Sequence, residues 1–392
     1  MLKKLAVTVI VVATTLLAFP ALAQQTLKIG FVGVFGGPIS NIGNDMRDGF
    51  ELAIDHKNRM LGGLKTEVIY VDDQMRPDVG KQVTDKLIES DHVNFLAGYP
   101  FSNVLLSSLK SAIESKTFLI GTNAGLSYPA GEHCTPWYFT LSADNVQRPS
   151  AMGTLLNKRG VKKLFIMARN YTGGKETAEG LKSAYKGTIV GEEYTRWPSQ
   201  LDFSAEITKI RAANPDAVWV FMPGNYGIQF FTQCAQSGLK GKVPVYGNYT
   251  YDALSLPLLG EAALGGTTTE VWVQDLDNPT NKRFVADFRK KYGRTPSFYA
   301  ATSYDGALLI DHAVRAVKGD LANKDGMRDA MRKADFEFTK GHPKFGNNHF
   351  LIQNVYVAEA VKTVDGSMGL HNVETIVPNS QDIHHAKCPM KW

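Results

Sequence analysis

Two short polar stretches hold residues suited to anion chemistry: Gly98-Tyr99-Pro100-Phe101-Ser102-Asn103 and Gly121-Thr122-Asn123-Ala124-Gly125. Each follows a short apolar run. A serine that opens a helix can hand its hydroxyl and the adjacent backbone N–H groups to a carboxylate, and Ser102 is equally well explained as a plain N-cap. Asn123 and Ala124 sit in a loop of small residues, so their backbone can approach the same anion closely. Farther along, the matching stretches read Arg169-Asn170-Tyr171, Gly224-Asn225-Tyr226 and Asn248-Tyr249-Thr250-Tyr251. Tyr171 and Tyr249, with Tyr99 and Phe101 opposite them, suggest two aromatic walls around a flat apolar ligand. Arg169, Asn225 and Asn248 are the polar members of the same candidate set.

Catalytic and cofactor signatures are thin. Gly33-Val34-Phe35-Gly36-Gly37-Pro38 lacks the G-x-G-x-x-G spacing of a dinucleotide loop, and Pro38 interrupts the approach to the following helix. No Walker pattern, G-x-S-x-G elbow or H-E-x-x-H occurs. No cofactor and no enzyme activity are therefore expected. His342, His371, His384 and His385 read as surface residues. Basic residues are interspersed with acidic ones rather than gathered in a stripe, so nucleic acid is not an expected partner.

These loops need a scaffold that presents them together. From Leu27 onward, strands rich in Val, Ile and Leu alternate with amphipathic helices, the pattern of parallel sheets covered on both faces. The first block places strands at Leu27–Val32, Glu67–Val71, Val93–Ala97 and Thr117–Ile120, with helices at Asn41–Arg59, Val79–Ser90 and Ser102–Ser115. After Leu141-Ser142-Ala143-Asp144 the rhythm restarts, with strands at Lys163–Ala168, Ile189–Tyr194, Ala217–Phe221 and Val243–Tyr246. Helices are expected between them, the last at Gly227–Ser237. A strand at Thr268–Val273, three helical stretches (Pro279–Tyr292, Ser297–Val317, Lys324–Lys333) and two β-like runs, Phe350–Val355 and Tyr356–Val361, complete the chain. Helices without intervening strands cannot build a third parallel sheet, so they are expected to cover the first two.

The N-terminus carries Lys3-Lys4, an apolar run from Leu5 to Phe19, and small residues at Ala21 and Ala23, the three parts of a secretory signal. Cleavage near Ala23 takes the 392 residues to 369 and the formal charge from +5 to +3. No later stretch of the sequence is long and apolar enough to span a membrane, so a soluble periplasmic product is expected. The three cysteines are an odd number in an oxidising compartment. Cys234, in an apolar helical stretch, is expected to stay free, and Cys134 and Cys388 to pair. A metal site using His133, His384 or His385 is the competing reading, weakened by the absence of zinc-type spacing.

Taken in order, Gly36-Gly37-Pro38, Ser102, Asn123-Ala124, Tyr171 and the export signal resemble the type I periplasmic solute-binding proteins. More narrowly, they resemble the leucine/isoleucine/valine-binding family that feeds ABC importers. The resemblance implies an α/β fold of two Rossmann-like lobes, parallel sheets flanked by helices, joined by three crossovers. The crossovers fall near Leu141–Asp144, Val271–Gln274 and Lys344–Asn348. Lobe one then holds residues 24–143 and 274–346, and lobe two residues 144–273 and 347–392. Carried over by motif, the carboxylate contacts fall on Ser102, Asn123 and Ala124, and the stacking ring on Tyr171. Amino-acid-binding members place an acidic residue where this chain has Asn248-Tyr249-Thr250, and commonly an aromatic where it has Ile42. A buried ammonium without a counter-charge is costly. The departures therefore resemble the branch that carries aromatic acids of the benzoate or hydroxycinnamate type, with an inner-membrane ABC permease as partner and a monomer as the working form. Asp252 is near enough in sequence to supply the missing charge, which keeps branched-chain or aromatic amino acids as the alternative. A periplasmic sensor is a second one.

Overall fold

The computed structural model describes residues 25–239, 241–363 and 366–391. The expected export signal over 1–23 lies outside the described residues. Strand β1 (Leu27–Gly33) is followed by α1 (Ser40–His56), β2 (Met60–Leu61), β3 (Leu64–Asp72), α2 (Pro77–Glu89), β4 (Phe95–Gly98), α3 (Ser102–Glu114), β5 (Phe118–Gly121) and β6 (Tyr138–Thr140). The chain continues with α4 (Gln147–Lys158), β7 (Lys163–Arg169), α5 (Thr172–Ala184), β8 (Thr188–Thr195), α6 (Ser204–Ala213), β9 (Ala217–Phe221), α7 (Asn225–Gln236), β10 (Val245–Asn248), α8 (Leu256–Leu259) and β11 (Thr267–Glu270). Helices α9 (Pro279–Tyr292), α10 (Phe298–Ala316) and α11 (Lys324–Lys333) precede β12 (Lys344–Phe345), β13 (Leu351–Lys362) and β14 (Met368–Ser380).

Two sheets result. The first has the order β2-β3-β1-β4-β5-β6 and is parallel apart from the β2–β3 pair. The second runs β12-β13-β11-β10-β9-β7-β8 with β14 on β13. Its β7 to β11 pairs are parallel and its β12, β13 and β14 pairs antiparallel. Buried strands such as Phe95–Gly98 and Ala217–Phe221 have no exposed face, as expected for sheets covered on both sides. Residues 141–146 lead from β6 of the first sheet to α4, 271–278 lead from β11 of the second sheet to α9, and 334–343 lead from α11 to β12 of the second sheet. Helix α10 packs along α1, so the third stretch of helices covers the first sheet.

Two expectations about strands need correction. Phe350–Val355 and Tyr356–Val361 are one strand, β13, whose pairing with β14 shifts register between Val355 and Tyr356. That irregularity breaks the alternation of side chains and makes the run read as two. Strand β14 was not expected at all, because its outer side is exposed and it contains Pro378.

Cross-links hold the passing segments in place. Lys340 Nζ donates to Leu141 O at 2.6 Å, and Gln353 Nε2 to Ser142 O at 3.1 Å. Arg148 and Glu270 form a buried ion pair between α4 and the end of β11. Cys134 and Cys388 are disulfide-bonded, while Cys234 is free and buried in α7. Among the described residues no helix is long and apolar enough to cross a membrane, and no group of three or more His, Cys, Asp and Glu is placed to hold a metal.

Candidate functional site

In each sheet the strand order reverses direction beside one strand, β1 in the first and β7 in the second, and crevices at such points lie beyond the strand carboxyl ends. The two crevices face each other. Strand β4 ends at Gly98, with φ +98°, where a β-carbon would lie 2.2 Å from Val32 O. Only glycine fits this close approach. Tyr99 follows in the left-handed region, the chain turns through Pro100, and α3 begins at Ser102.

Ser102 does not cap α3, contrary to one of the two readings its sequence position allows. Phe101 occupies the N-cap position, and no side chain caps α3. The Ser102 hydroxyl instead accepts a hydrogen bond from Asn145 Nδ2 at 2.9 Å, which leaves its own hydrogen to donate. The first-turn N–H groups of α3 have no partner within their helix, as at any helix start. From the next loop, Asn123 Nδ2 donates to Pro100 O at 2.6 Å, and Asn123 Oδ1 is buried without a partner.

The facing wall comes from the second sheet and from α10. Tyr171 is the N-cap residue of α5, Phe221 ends β9, Pro223 follows it, and Tyr249 follows β10 with φ +58°. Tyr299 stands in the first turn of α10 behind Ser297, whose hydroxyl accepts the Tyr299 N–H at 3.1 Å. The rings form a continuous wall, with centroids 6.1 Å apart for Tyr171 and Phe221, 5.3 Å for Phe221 and Tyr249, and 5.4 Å for Tyr249 and Phe298. Phe101, from the opposite side, lies 6.3 Å from Tyr171 and 5.0 Å from Trp197. Together with Pro100, Ser102, Asn123, Ala124 and Asn145, the residues Phe101, Tyr171, Phe221, Pro223, Tyr249 and Tyr299 line one cavity. The crevices meet closely elsewhere too: a β-carbon on Gly224 would lie 3.2 Å from Ile42 Cδ1.

Among the described residues, the cavity lining contains no charged side chain. The nearest carboxylate in the hydrogen-bond network is Glu176 on α5. It accepts from Asn145 Nδ2 at 2.6 Å and from the Ser127 N–H at 3.2 Å. Burial pushes its carboxyl above the ordinary range, against the lowering effect of those bonds. Behind the aromatic wall, the Arg148 guanidinium lies 3.7 Å from the Tyr249 ring centroid and 4.6 Å from that of Phe298.

Of the residues selected from the sequence, Phe101, Ser102, Asn123, Ala124, Tyr171 and Tyr249 line the cavity. Five do not. Tyr99 turns into the interior of the first sheet, its hydroxyl 2.8 Å from Thr84 Oγ1. The left-handed backbone at that residue sends it away from its neighbour Phe101. Asn248 is the last residue of its strand and fully buried, accepting from Trp219 Nε1 at 2.9 Å and donating to Thr269 O at 3.0 Å. Arg169 is buried under the site, bonded to Thr195 Oγ1, Gln200 O and Arg196 O, with Tyr226 4.0 Å from its guanidinium carbon. Asn225 opens α7 outside the cavity lining, and Ile42 packs against Gly224 rather than facing the cavity. Asp252 spends one carboxylate oxygen on the Leu254 and Ser255 N–H groups and is also absent from the lining.

Sequence reading missed Pro100, Asn145, Phe221, Pro223 and Tyr299 as lining residues, and Trp197 beside Tyr171. Trp197 stacks on Tyr171 at 4.4 Å and 21°. It follows β8, so the rule that singled out the other strand-end loops also reaches it. Tyr299 carried a comparable signal, an aromatic in the first turn of a helix capped by Ser297.

Comparison with known proteins bears on this architecture. The curated relatives include the Leu/Ile/Val-binding protein homolog 6 of Brucella melitensis, 26% identical over 388 residues, covering 95% of this chain and 97% of that protein. Among solved structures, an ABC-transporter solute-binding protein from R. palustris in complex with benzoate superposes with a TM-score of 0.88 at 29% identity. That match covers 93% of this chain and all of the other. A second, from Rhodopseudomonas palustris BisB5 in complex with 3,4-dihydroxybenzoic acid, gives 0.85 at 28% identity, covering 91% and 99%. The periplasmic binding protein family matches residues 26–366, from just before the first strand of one sheet to beyond the long antiparallel strand of the other. By that span and by the fold just described, the chain belongs to the periplasmic binding protein family.

Proposed function

We propose that this protein captures a small aromatic carboxylate in the periplasm and delivers it to an ABC permease in the inner membrane. One observation carries the reading: aromatic rings, one serine hydroxyl, the amides of Asn123 and Asn145 and a helix N-terminus line the cavity, and among the described residues no charged side chain does. The positive end of α3 and the free hydrogen of Ser102 suit a carboxylate. The rings of Phe101, Tyr171, Phe221 and Tyr249 suit a flat apolar body. A zwitterionic amino acid would bring an ammonium into a lining that holds no carboxylate among the described residues; Asp252 lies outside it, one oxygen on backbone N–H groups and the other buried without a partner. Benzoate and 3,4-dihydroxybenzoic acid in the two R. palustris proteins support the same class of ligand.

In this reading, residues 24–143 with 274–346 form one lobe and 144–273 with 347–392 the other, closing over the ligand as a monomer after the leader is cut near Ala23. Ser102, Asn123 and Ala124 meet the carboxylate, and Tyr171 stacks on the ring. The competing ligand is a branched-chain amino acid, favoured by the relative from Brucella melitensis and by the unpartnered Asn123 Oδ1, which would accept from an ammonium. Calorimetric titration separates the two: benzoate binds and leucine does not. Leucine binding with no response to aromatic acids overturns the proposal.

A further inference from the structure

Two hydroxyl groups in the cavity lining, those of Tyr249 and Tyr299, are buried with no hydrogen-bond partner within bonding geometry among the described residues, the Arg148 guanidinium lying against Tyr249. The Ser102 hydroxyl is different, because it already accepts a hydrogen bond from Asn145. Buried hydroxyls are almost always paired, and leaving one unpaired carries a desolvation cost that nothing in an unsubstituted ring repays. The surroundings of the two tyrosines also differ. Tyr249 has the Arg148 guanidinium 3.7 Å above its ring, and a cation there strengthens its O–H as a donor. Burial, and then the nearby Asp252 carboxylate, keep the Tyr299 hydroxyl protonated, so its oxygen remains a neutral acceptor.

We infer that Tyr249 and Tyr299 form a subsite for a ring hydroxyl, so that the preferred solute is a phenolic acid rather than the unsubstituted acid. The ligand hydroxyl accepts from Tyr249 and donates to the Tyr299 oxygen, while its carboxylate meets Ser102 and the start of α3. A hydroxyl is both donor and acceptor, so one ligand group has the capacity to bond each tyrosine once. A site built to hydrogen-bond such a group discriminates against the analogue that lacks it, because the protein groups are then left unpaired. This inference rests on the aromatic-carboxylate reading above and narrows it.

The experiment titrates benzoate, 3-hydroxybenzoate and 4-hydroxybenzoate calorimetrically into the mature protein and into the Tyr249→Phe and Tyr299→Phe variants. The expected result is that one hydroxybenzoate binds the unaltered protein at least about tenfold more tightly than benzoate. In each variant that ratio falls to within about threefold, since the ring wall is kept and only the hydroxyl is lost. Equal affinities for benzoate and both hydroxybenzoates in the unaltered protein overturn the inference while leaving the aromatic-carboxylate reading in place. A ratio that persists in both variants overturns the assignment to these tyrosines. Failure of all three acids to bind removes the reading itself together with this inference. A variant that does not fold is replaced by the other, and the ligand series in the unaltered protein stands independently of both.

Discussion

Asn145 Nδ2 lies 2.9 Å from Ser102 Oγ, tying the segment between the sheets to the first residue of α3. The same nitrogen lies 2.6 Å from Glu176 Oε2 on α5, so one amide orients the serine and engages the facing helix. Ser102→Ala removes a hydroxyl that caps nothing. It is expected to weaken benzoate binding by about 1–3 kcal/mol with little change in melting temperature. Asn145→Ala should weaken binding in the same direction by leaving Ser102 unoriented. Calorimetry alongside thermal unfolding of the ligand-free variants checks both.

Glu176 on α5 accepts from the Ser127 N–H in the loop after β5 at 3.2 Å, a contact that would hold the walls together over a bound ligand in the proposed closure. Glu176→Ala should therefore release ligand faster, by roughly tenfold, and leave the association rate nearly unchanged, because related complexes differ mostly in dissociation. Stopped-flow mixing and displacement measure the two rates separately.

Trp197 stacks on Tyr171 and touches Phe101, placing an indole against the wall of the cavity. Ligand entry should change its emission. Trp197→Phe is expected to abolish most of the ligand-dependent fluorescence change, and Trp197→Ala to cost about 1–2 kcal/mol of binding as Tyr171 loses its support. Fluorescence and calorimetric titrations of the two variants check this.

Asp144 is fully buried at the passage from β6 to α4. Burial, then the nearby Asp382 carboxylate, pushes its carboxyl up to about 8 from the ordinary 3.8. The folded protein therefore binds this proton more tightly than the unfolded chain. Its contribution to stability is fully present below about 4 and is lost as pH rises toward about 8. Asp144→Asn keeps an oxygen for the Val146 and Gln147 N–H groups. Its melting temperature should fall less steeply with pH across that window than that of the unaltered protein, as thermal scans at a series of pH values will show.

The Cys134–Cys388 disulfide fastens the C-terminal segment to the loop after β5 across 254 residues of sequence. Cys388→Ser is expected to lower stability by roughly 2–4 kcal/mol while leaving ligand affinity unchanged, since neither cysteine lines the cavity. Denaturant unfolding and calorimetry separate the two effects. Cys234, buried and with its thiol pushed up to about 12, should remain unreactive toward thiol reagents until the protein unfolds.

Elements whose apolar pattern is local were legible in the sequence. The run Ala217–Phe221 forms strand β9 with the expected bounds, and Pro279–Tyr292 forms α9 with the expected bounds. The strand-end loops also follow from that alternation, which is why Phe101, Ser102, Asn123, Ala124, Tyr171 and Tyr249 could be named as neighbours. Side-chain direction within a loop could not be read. Tyr99 and Phe101 are two residues apart and of similar chemistry, yet the left-handed backbone at Tyr99 turns one into the sheet interior and leaves the other in the cleft. Asn145 and Tyr299 lie outside those loops and reach the cavity only because the chain passes between the sheets and returns. Their positions depend on contacts between residues far apart in sequence, such as Lys340 with Leu141 and Gln353 with Ser142. Periodicity records how each segment buries its own face; tertiary packing alone decides which distant groups share one cavity and which are left there without a partner.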